Sequence, residues 1–497
     1  MGQPAYVLAL DQGTSSSRAI LFDQSGRIAA MGQEPLGSTY PEPGWVEQDP
    51  DAIWTSVLGA MRSCLDEAGI PLAGVAAIGI ANQRETTILW DRDTGRAVHP
   101  AISWQCRRTA PLCDALRAEG AEPFVRERTG LLLDPYFSAT KIAWILDQVP
   151  GLRAQAEAGR VAFGTVDSWL IYRLTGGRRH VTDASNASRT LLYNIREGEW
   201  DAELLKLFRV PEAMLPLVVP TSGVAAATDT AVLGHGVSVA GVAGDQQAAL
   251  FGQACFSPGT AKNTYGTGSF LLMNTGSIAV PSRHGLVTTV AWQVGSDLTY
   301  ALEGSVFVTG AAMQWLRDGI GILDRVEDSE DLARSVPDTG AVYLVPAFTG
   351  LGAPYWDSHA RGLLVGITRG TGRAHIVRAA LEAMAYQSRD VLDAMVSDSG
   401  QALSSLRVDG GASRNAFLLQ FQADILGLPI ERSALIEATA WGAAALAGLA
   451  VGLWEGPEAV SALWPAETTV RPTSTPADRD LRYDRWRQAV ERSRGWA

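Results

Sequence analysis

The chain is poor in several features that would announce a function directly. Its four cysteines, Cys64, Cys106, Cys113 and Cys255, have no Cys-x-x-Cys or Cys-x-x-His company. Neither a zinc site nor a disulfide framework is expected, and a reducing cytoplasm is the simplest home. Charge is sparse at 19% of residues and the net charge is −12. Without a compensating basic stripe, that balance argues against a nucleic-acid surface, so any phosphate ligand has to be gripped locally. No apolar run reaches the ~20 residues of a membrane span. The best candidate, Ala438 to Trp454, is bounded by Glu437 and Glu455 and rich in Ala and Gly, and it reads as a buried helix. The amino terminus shows no basic stretch followed by a long apolar segment, so no signal peptide is expected. Neither of the common phosphate-loop patterns, GxxxxGK[ST] or GxGxxG, occurs.

What remains is a chain of 497 residues, 46% of them apolar. That is more than one hydrophobic core usually serves, so two large domains are expected, and extended disorder is not. The most informative stretch is Leu8 to Asp23. Apolar runs of strand length, Tyr6 to Leu10 and Ala19 to Phe22, flank a tip of Gly13, Thr14, Ser15, Ser16 and Ser17. Gly13 lets the backbone approach an anion, the hydroxyls and amides donate to it, and Arg18 adds a fixed positive charge. Asp11 would repel that anion unless a hard cation lay between them, which points to Mg²⁺. An ordinary surface turn is the competing reading. A second hairpin, Lys262 to Asn274, repeats the pattern around Tyr265-Gly-Thr-Gly268, which suggests an internal repeat with one phosphate-binding tip per domain. A third element, Leu406 to Asn415, is a strand opening into Gly410-Gly411 and then a helix, on which a base or ribose could lie.

Carboxylates and aromatic residues gather at other strand ends. Val75 to Ala81 reads as a buried strand that runs into Asn82-Gln-Arg-Glu-Thr-Thr87. There Arg84 and Glu85 either reach one small polar ligand or form a solvated ion pair. Trp104 either walls a small substrate or fills core space. Tyr136, just ahead of a helix that Ser138 is expected to cap, either lines a pocket or packs the helix start. Asp245 follows the small-residue strand Gly241 to Gly244 and opens a helix; it is a fixed, reachable general base or only an N-cap.

Ala9-Leu-Asp-Gln-Gly-Thr14, Asn82 to Thr87, Trp104-Gln-Cys-Arg-Arg-Thr109, Asp134-Pro-Tyr-Phe-Ser138, Ala243-Gly-Asp-Gln-Gln247, Tyr265 to Gly268, Gly350 to Asp357 and Val408-Asp-Gly-Gly411 occur in this order. With them the chain resembles the glycerol-kinase branch of the carbohydrate-kinase family, which shares the actin and Hsp70 type of ATPase fold. The resemblance implies an α/β protein with two ribonuclease H-like domains around a central cleft, 1–252 and 253–497, the boundary falling near Phe251 to Gly259. It implies ATP-dependent phosphorylation of glycerol with Mg²⁺. Glycerol's hydroxyls would be held by Arg84, Glu85, Tyr136, Asp245 and Gln246, with Trp104 and Phe270 against its carbons. Thr14, Ser15, Ser16 and Arg18 at the first hairpin, Thr267 at the second, and Gly310 and Gln314 on a later helix would hold the nucleotide, with Gly411 and Asn415 for its adenosine. Asp11 and Asp245 would orient Mg²⁺, with Asp245 as base and Arg18 stabilising charge. Homodimers or homotetramers are usual for the family.

Two enzymatic alternatives stay open, a kinase for another small polyol or for a ketose, and outside catalysis a nucleotide switch of actin-like fold. The stretch from Ser222 to Gly241 lacks the glycine-and-arginine loop by which some relatives bind fructose 1,6-bisphosphate. His235 within it reads as a plain surface histidine. Arg414 and Trp441, larger than expected near the adenosine turn and the helix after it, are expected to alter nucleotide fit.

Overall fold

The computed structural model describes residues 6–433, 437–464 and 466–497. The chain opens as an antiparallel meander, β1 (Tyr6–Gln12), β2 (Ser16–Asp23) and β3 (Ile28–Pro35). Helix α1 (Pro50–Ala68) starts where the Asp49 carboxylate caps the Asp51 amide and ends at Gly69, in the left-handed region. Strand β4 (Val75–Asn82) follows, then helix α2 (Ser138–Gln148), β5 (Ser222–Ala227), β6 (Ser238–Gly244) and α3 (Asp245–Gly252). The second half holds β7 (Ala261–Tyr265), β8 (Ser269–Gly276), β9 (Val287–Val294), β10 (Asp297–Val306), α4 (Gly310–Gln314) and α5 (Arg373–Ser399). It closes with β11 (Leu406–Gly410), α6 (Ala416–Leu426), β12 (Ile430–Ser433), α7 (Ala438–Ala450) and β13 (Ala466–Val470).

The strands hydrogen-bond in the order β13-β12-β11-β7-β8-β10-β9-β5-β6-β4-β1-β2-β3. Within it the first half reads β3-β2-β1-β4-β6 and the second β10-β8-β7-β11-β12. In each, an antiparallel meander is extended by two parallel strands. The repeat suggested by the two hairpins is thus a repeat of topology, in the ribonuclease H-like order. Between β5 and β9, where the two parts of the sheet meet, the strand pairing is Ser222 opposite Val294.

Burial on both faces explains why β1 reads as a continuous apolar run rather than an alternating one. Leu8 and Leu10 pack with Ile53, Val57 and Met61 of α1, whereas Val7 and Ala9 pack with Ala443, Ala444 and Ala447 of α7. Helix α7 therefore leaves the second half's sheet and completes the first half's core. Among the described residues no helix is long and apolar enough to cross a membrane.

At its crossing with α3, α7 approaches backbone to backbone. A Cβ on Gly442 would lie 1.8 Å from the Ala248 carbonyl oxygen, and one on Gly252 would lie 2.1 Å from that of Ala438. Gly442→Ala is expected to lose stability, because about 3 kcal/mol of overpacking outweighs the ~1 kcal/mol gained in helix propensity. Urea unfolding should show a net loss of about 2 kcal/mol.

Candidate active site

Three neighbouring parallel strands end side by side: Gln12 of β1 stands opposite Asn82 of β4, and Asn82 opposite Gly244 of β6. Such carboxyl ends are where open α/β sheets bind ligands. Asp11, the pair Arg84 and Glu85, and Asp245 are therefore neighbours by topology. Gly244 occupies the N-cap, so Asp245 is the first helical residue, and its carboxylate accepts from the Gln246 amide at 2.7 Å. Arg84 Nε lies 3.3 Å from Asp245 and 3.8 Å from Glu85. Gly244 makes that possible, since a Cβ there would sit 2.7 Å from Arg84 Cδ. Glu85 has a φ of 60°, a conformation that costs a non-glycine residue energy and needs support from its surroundings. The support comes at its carbonyl, which accepts from Ser138 Oγ at 3.1 Å and Lys141 Nζ at 3.2 Å. Ser138 is accordingly not the cap expected of it. It is the first residue of α2, after Phe137 at the N-cap, and its hydroxyl goes across to Glu85.

Beneath this lies a buried ion network that ties the halves together. Arg84 forks onto Glu303 of β10 at 2.5 and 3.1 Å, and Arg189 bridges Glu85 at 2.6 Å and Glu303 at 2.9 Å. None of the four side chains is more than 2% exposed, whereas Asp245 keeps 28%. Burial pushes the Glu303 carboxyl up, but Arg189 and Arg84 outweigh it and hold it down to about 2. At Glu85 and Asp245 burial prevails over the neighbouring cations and the carboxyls are raised.

The aromatic residues stand above this floor. Tyr136 Oη accepts from Arg84 at 3.4 Å. Its ring meets Trp104 edge-on with centroids 5.6 Å apart, and Trp104 faces Phe270 at 6.4 Å. The Arg84 guanidinium lies 5.8 Å from the Phe270 ring centre. Gln246 accepts from the buried Lys262, which also donates to Thr264 at 2.9 Å.

The first hairpin tip closes with Gly13 N donating to Ser16 O at 2.9 Å. Ser15 is exposed and Thr14 and Ser16 are half-buried. Arg18 is in register with Asp11 and donates to Glu437, ahead of α7, at 2.7 Å. Burial raises Asp11 to about 7 against the pull of Arg18, and the charges of Asp245 and Glu437 push the same way. At the second tip Thr267 is exposed, and its carbonyl accepts the amides of Thr309 and Ala311, both at 3.0 Å. Gly310 N donates to Gly266 O at 3.1 Å, seating the start of α4 on that hairpin, and Gln314 is exposed at its end. Gly410 pairs with Tyr265, the last residue of β7 before the turn, so Gly411 adjoins the tip of the same hairpin. Asn415 caps α6, accepting from Leu418 N at 2.9 Å and donating to Ser329 at 3.2 Å.

Arg414 and His235 are exposed. Trp441, expected to bear on the nucleotide, does not. It is fully buried in the first half's core, 5.4 Å from Phe22 and 5.2 Å from Trp454 between ring centres. Neighbourhood in sequence misled here, because α7 crosses to the other sheet.

Residues 6–252 match the FGGY family of carbohydrate kinases, N-terminal domain, and residues 261–451 match its C-terminal domain. The chain belongs to the FGGY family of carbohydrate kinases. Within it, this FGGY kinase is 59% identical over 492 residues to a glycerol kinase of Symbiobacterium thermophilum, covering 99% of each chain. It is 57% identical over 491 residues to glycerol kinase 2 of Thermotoga maritima, again covering 99% of each. Among solved structures it resembles Plasmodium falciparum glycerol kinase with ADP, with a TM-score of 0.93, 35% identity and 99% of each chain covered. The FGGY kinase thus has the expected α/β architecture, a two-domain actin-like ATPase fold.

Four residues of the FGGY kinase's site were not anticipated from its sequence: Arg189, Glu303, Lys262 and Gln247, the last accepting from Arg84 at 3.2 Å. A signal existed for two of them. Glu303 in Tyr300-Ala-Leu-Glu-Gly304 and Lys262 in Thr260-Ala-Lys-Asn263 are charges inside buried strands, and such charges need partners. Among the described residues no three His, Cys, Asp or Glu side chains gather as a metal site. Asp11 and Asp245 nevertheless suit Mg²⁺, which is usually held by one or two carboxylates with the nucleotide's phosphates completing the shell. Burial is the main reason the Asp11 carboxyl is raised, with Asp245 and Glu437 adding to it, and a cation bound there would favour its charged form.

Proposed function

We propose that this FGGY kinase transfers the γ-phosphoryl group of ATP to a terminal hydroxyl of glycerol, giving sn-glycerol 3-phosphate and ADP. The observation that carries the reading is the convergence of Arg84, Glu85 and Asp245 under Tyr136, Trp104 and Phe270. Three hydroxyls and a short carbon edge suit such a charged floor with aromatic walls. The full-length relatives named glycerol kinase support the same substrate.

In this reading Arg84, Glu85, Tyr136, Asp245 and Gln246 bind the hydroxyls, and Trp104 and Phe270 pack on the carbons. Asp245 takes the proton of the attacking hydroxyl. Arg18 and the donors of Thr14, Ser15 and Ser16 stabilise charge on the transferring group, where phosphoryl-transfer enzymes obtain most of their acceleration. Thr267, Gly310 and Gln314 are further contacts to the nucleotide, and Gly411 and Asn415 hold its adenosine. Mg²⁺ bound near Asp11 and Asp245 would neutralise phosphate charge. Division at 252/253 into two domains, a cytoplasmic location, and assembly into homodimers or homotetramers belong to the same proposal. The four buried free cysteines favour a reducing compartment, and light scattering tests the assembly.

ADP release measured with a panel of polyols and ketoses tests the substrate. Glycerol is expected to give the highest kcat/KM. A preference for a ketose or a larger polyol would move the assignment within the family, and ATP hydrolysis indifferent to every polyol would refute it.

A further inference from the structure

Trp104 turns its ring toward Tyr136 and Phe270, yet its ring nitrogen is engaged elsewhere. Indole Nε1–H donates to Thr14 Oγ1 at 2.9 Å, and Gln48 Nε2 donates to the Thr14 carbonyl at 2.7 Å. These two bonds belong to a closed ring. Gln83 Nε2 donates to Gln48 Oε1 at 2.9 Å, Thr86 Oγ1 donates to Gln83 Oε1 at 2.9 Å, and Trp104 N donates to Thr86 Oγ1 at 3.2 Å. Gln48, Gln83 and Thr86 are at most 1% exposed, so water does not compete for these groups.

The direction of the first bond is settled by chemistry. An indole nitrogen only donates, so the Thr14 oxygen accepts. Among the described residues, nothing takes the Thr14 hydroxyl's own proton, and the residue is half-buried at the hairpin tip. With one lone pair occupied by the indole, the hydroxyl has its proton to give to an oxygen arriving at the tip. A lone pair turned toward a phosphate oxygen would instead repel it.

We propose that Trp104 is a positioning residue for phosphoryl transfer, its indole N–H, together with the Gln48 carboxamide, fixing Thr14 so that the threonine hydroxyl donates to the transferring phosphoryl group. The inference rests on the reading of Thr14 as a nucleotide contact. It makes Trp104 a physical link between the polyol pocket and the phosphate tip, through neutral hydrogen bonds that salt does not screen.

The test is steady-state kinetics of the full chain as Trp104→Phe, Thr14→Val and the double variant, each checked for folding by circular dichroism. Phenylalanine keeps an aromatic face toward Tyr136 and Phe270 but has no donor. Trp104→Phe is expected to lower kcat about 10-fold with the KM for glycerol within about 3-fold of wild type, and Thr14→Val to lower kcat about 100-fold, the scale of losing one donor to developing charge. In the Thr14→Val background Trp104→Phe should cost nothing further. A rise in glycerol KM alone, or an undiminished loss in the double variant, would overturn the positioning role while leaving Thr14 as a nucleotide contact. Unchanged kinetics in Thr14→Val would remove the nucleotide reading itself, and the inference with it. If Trp104→Phe does not fold, Gln48→Leu replaces it, with the same kcat loss and the same non-additivity expected, and additivity overturning the proposal.

Discussion

Asp245→Asn is expected to leave a folded protein whose glycerol-dependent ADP formation is slowed at least about 100-fold, the range set by loss of a positioned general base. The substitution preserves the shape, and an amide oxygen can still accept from the Gln246 amide 2.7 Å away. What it removes is the ability to take a proton. Of the carboxylates around Arg84, Glu85 and Glu303 are each 1% exposed and locked to arginines, while Asp245 is 28% exposed and lies 3.3 Å from Arg84 Nε. It is the most exposed of the three and the one not hydrogen-bonded to an arginine, so it is the one placed to take a proton. Because chemistry rather than binding is lost, the fall should appear in kcat more than in the KM for glycerol. Near-normal turnover in a folded Asp245→Asn protein would assign the base elsewhere.

Glu303→Gln should produce the largest loss of stability, roughly 3–5 kcal/mol, because breaking a buried ion network leaves charge uncompensated. In the intact protein two guanidinium groups, of Arg84 and Arg189, face two carboxylates, of Glu85 and Glu303. Neutralising Glu303 leaves the two buried guanidinium groups with one buried carboxylate, Glu85, and the partly exposed Asp245 beside Arg84. Urea unfolding of the variant beside wild type measures the loss. The pH dependence carries the same signature. A carboxyl lowered from its ordinary 4.5 to about 2 in the fold contributes its full stability above 4.5 and loses it as pH falls toward 2. The gap between wild type and Glu303→Gln should therefore be widest at neutral pH and close below 4.5. A gap that ignores pH would show that packing, not charge, is what Glu303 provides.

Much of the floor of the site was legible because its residues lie within short motifs at strand ends. Arg84 and Glu85 are adjacent, Asp245 follows a strand of small residues, and the tips at Thr14 and Thr267 are spelled out in glycine and hydroxyl residues. The partners that hold this floor were not legible, because they are remote along the chain. Glu303 is 219 residues from Arg84, and Arg189 is 104 from Glu85. Only the order of strands brings them together. Ser138 failed as a predicted cap for a related reason: a buried strained carbonyl at Glu85 claims its hydroxyl. Trp441 misled in the opposite sense, since its place in the chain suggests the nucleotide while its helix packs on the other sheet.

That helix also constrains how the molecule can move. Where α7 crosses α3 there is no layer of side chains to rearrange, only backbone against backbone at Gly442 and Ala248. A slip of one residue would put Trp441 or Ala443 where only a hydrogen atom fits. Sliding along the crossing is thereby blocked. The stretch of chain that begins in the second half's sheet is anchored to the first half at one fixed register, held by the main chain and not by interchangeable side chains.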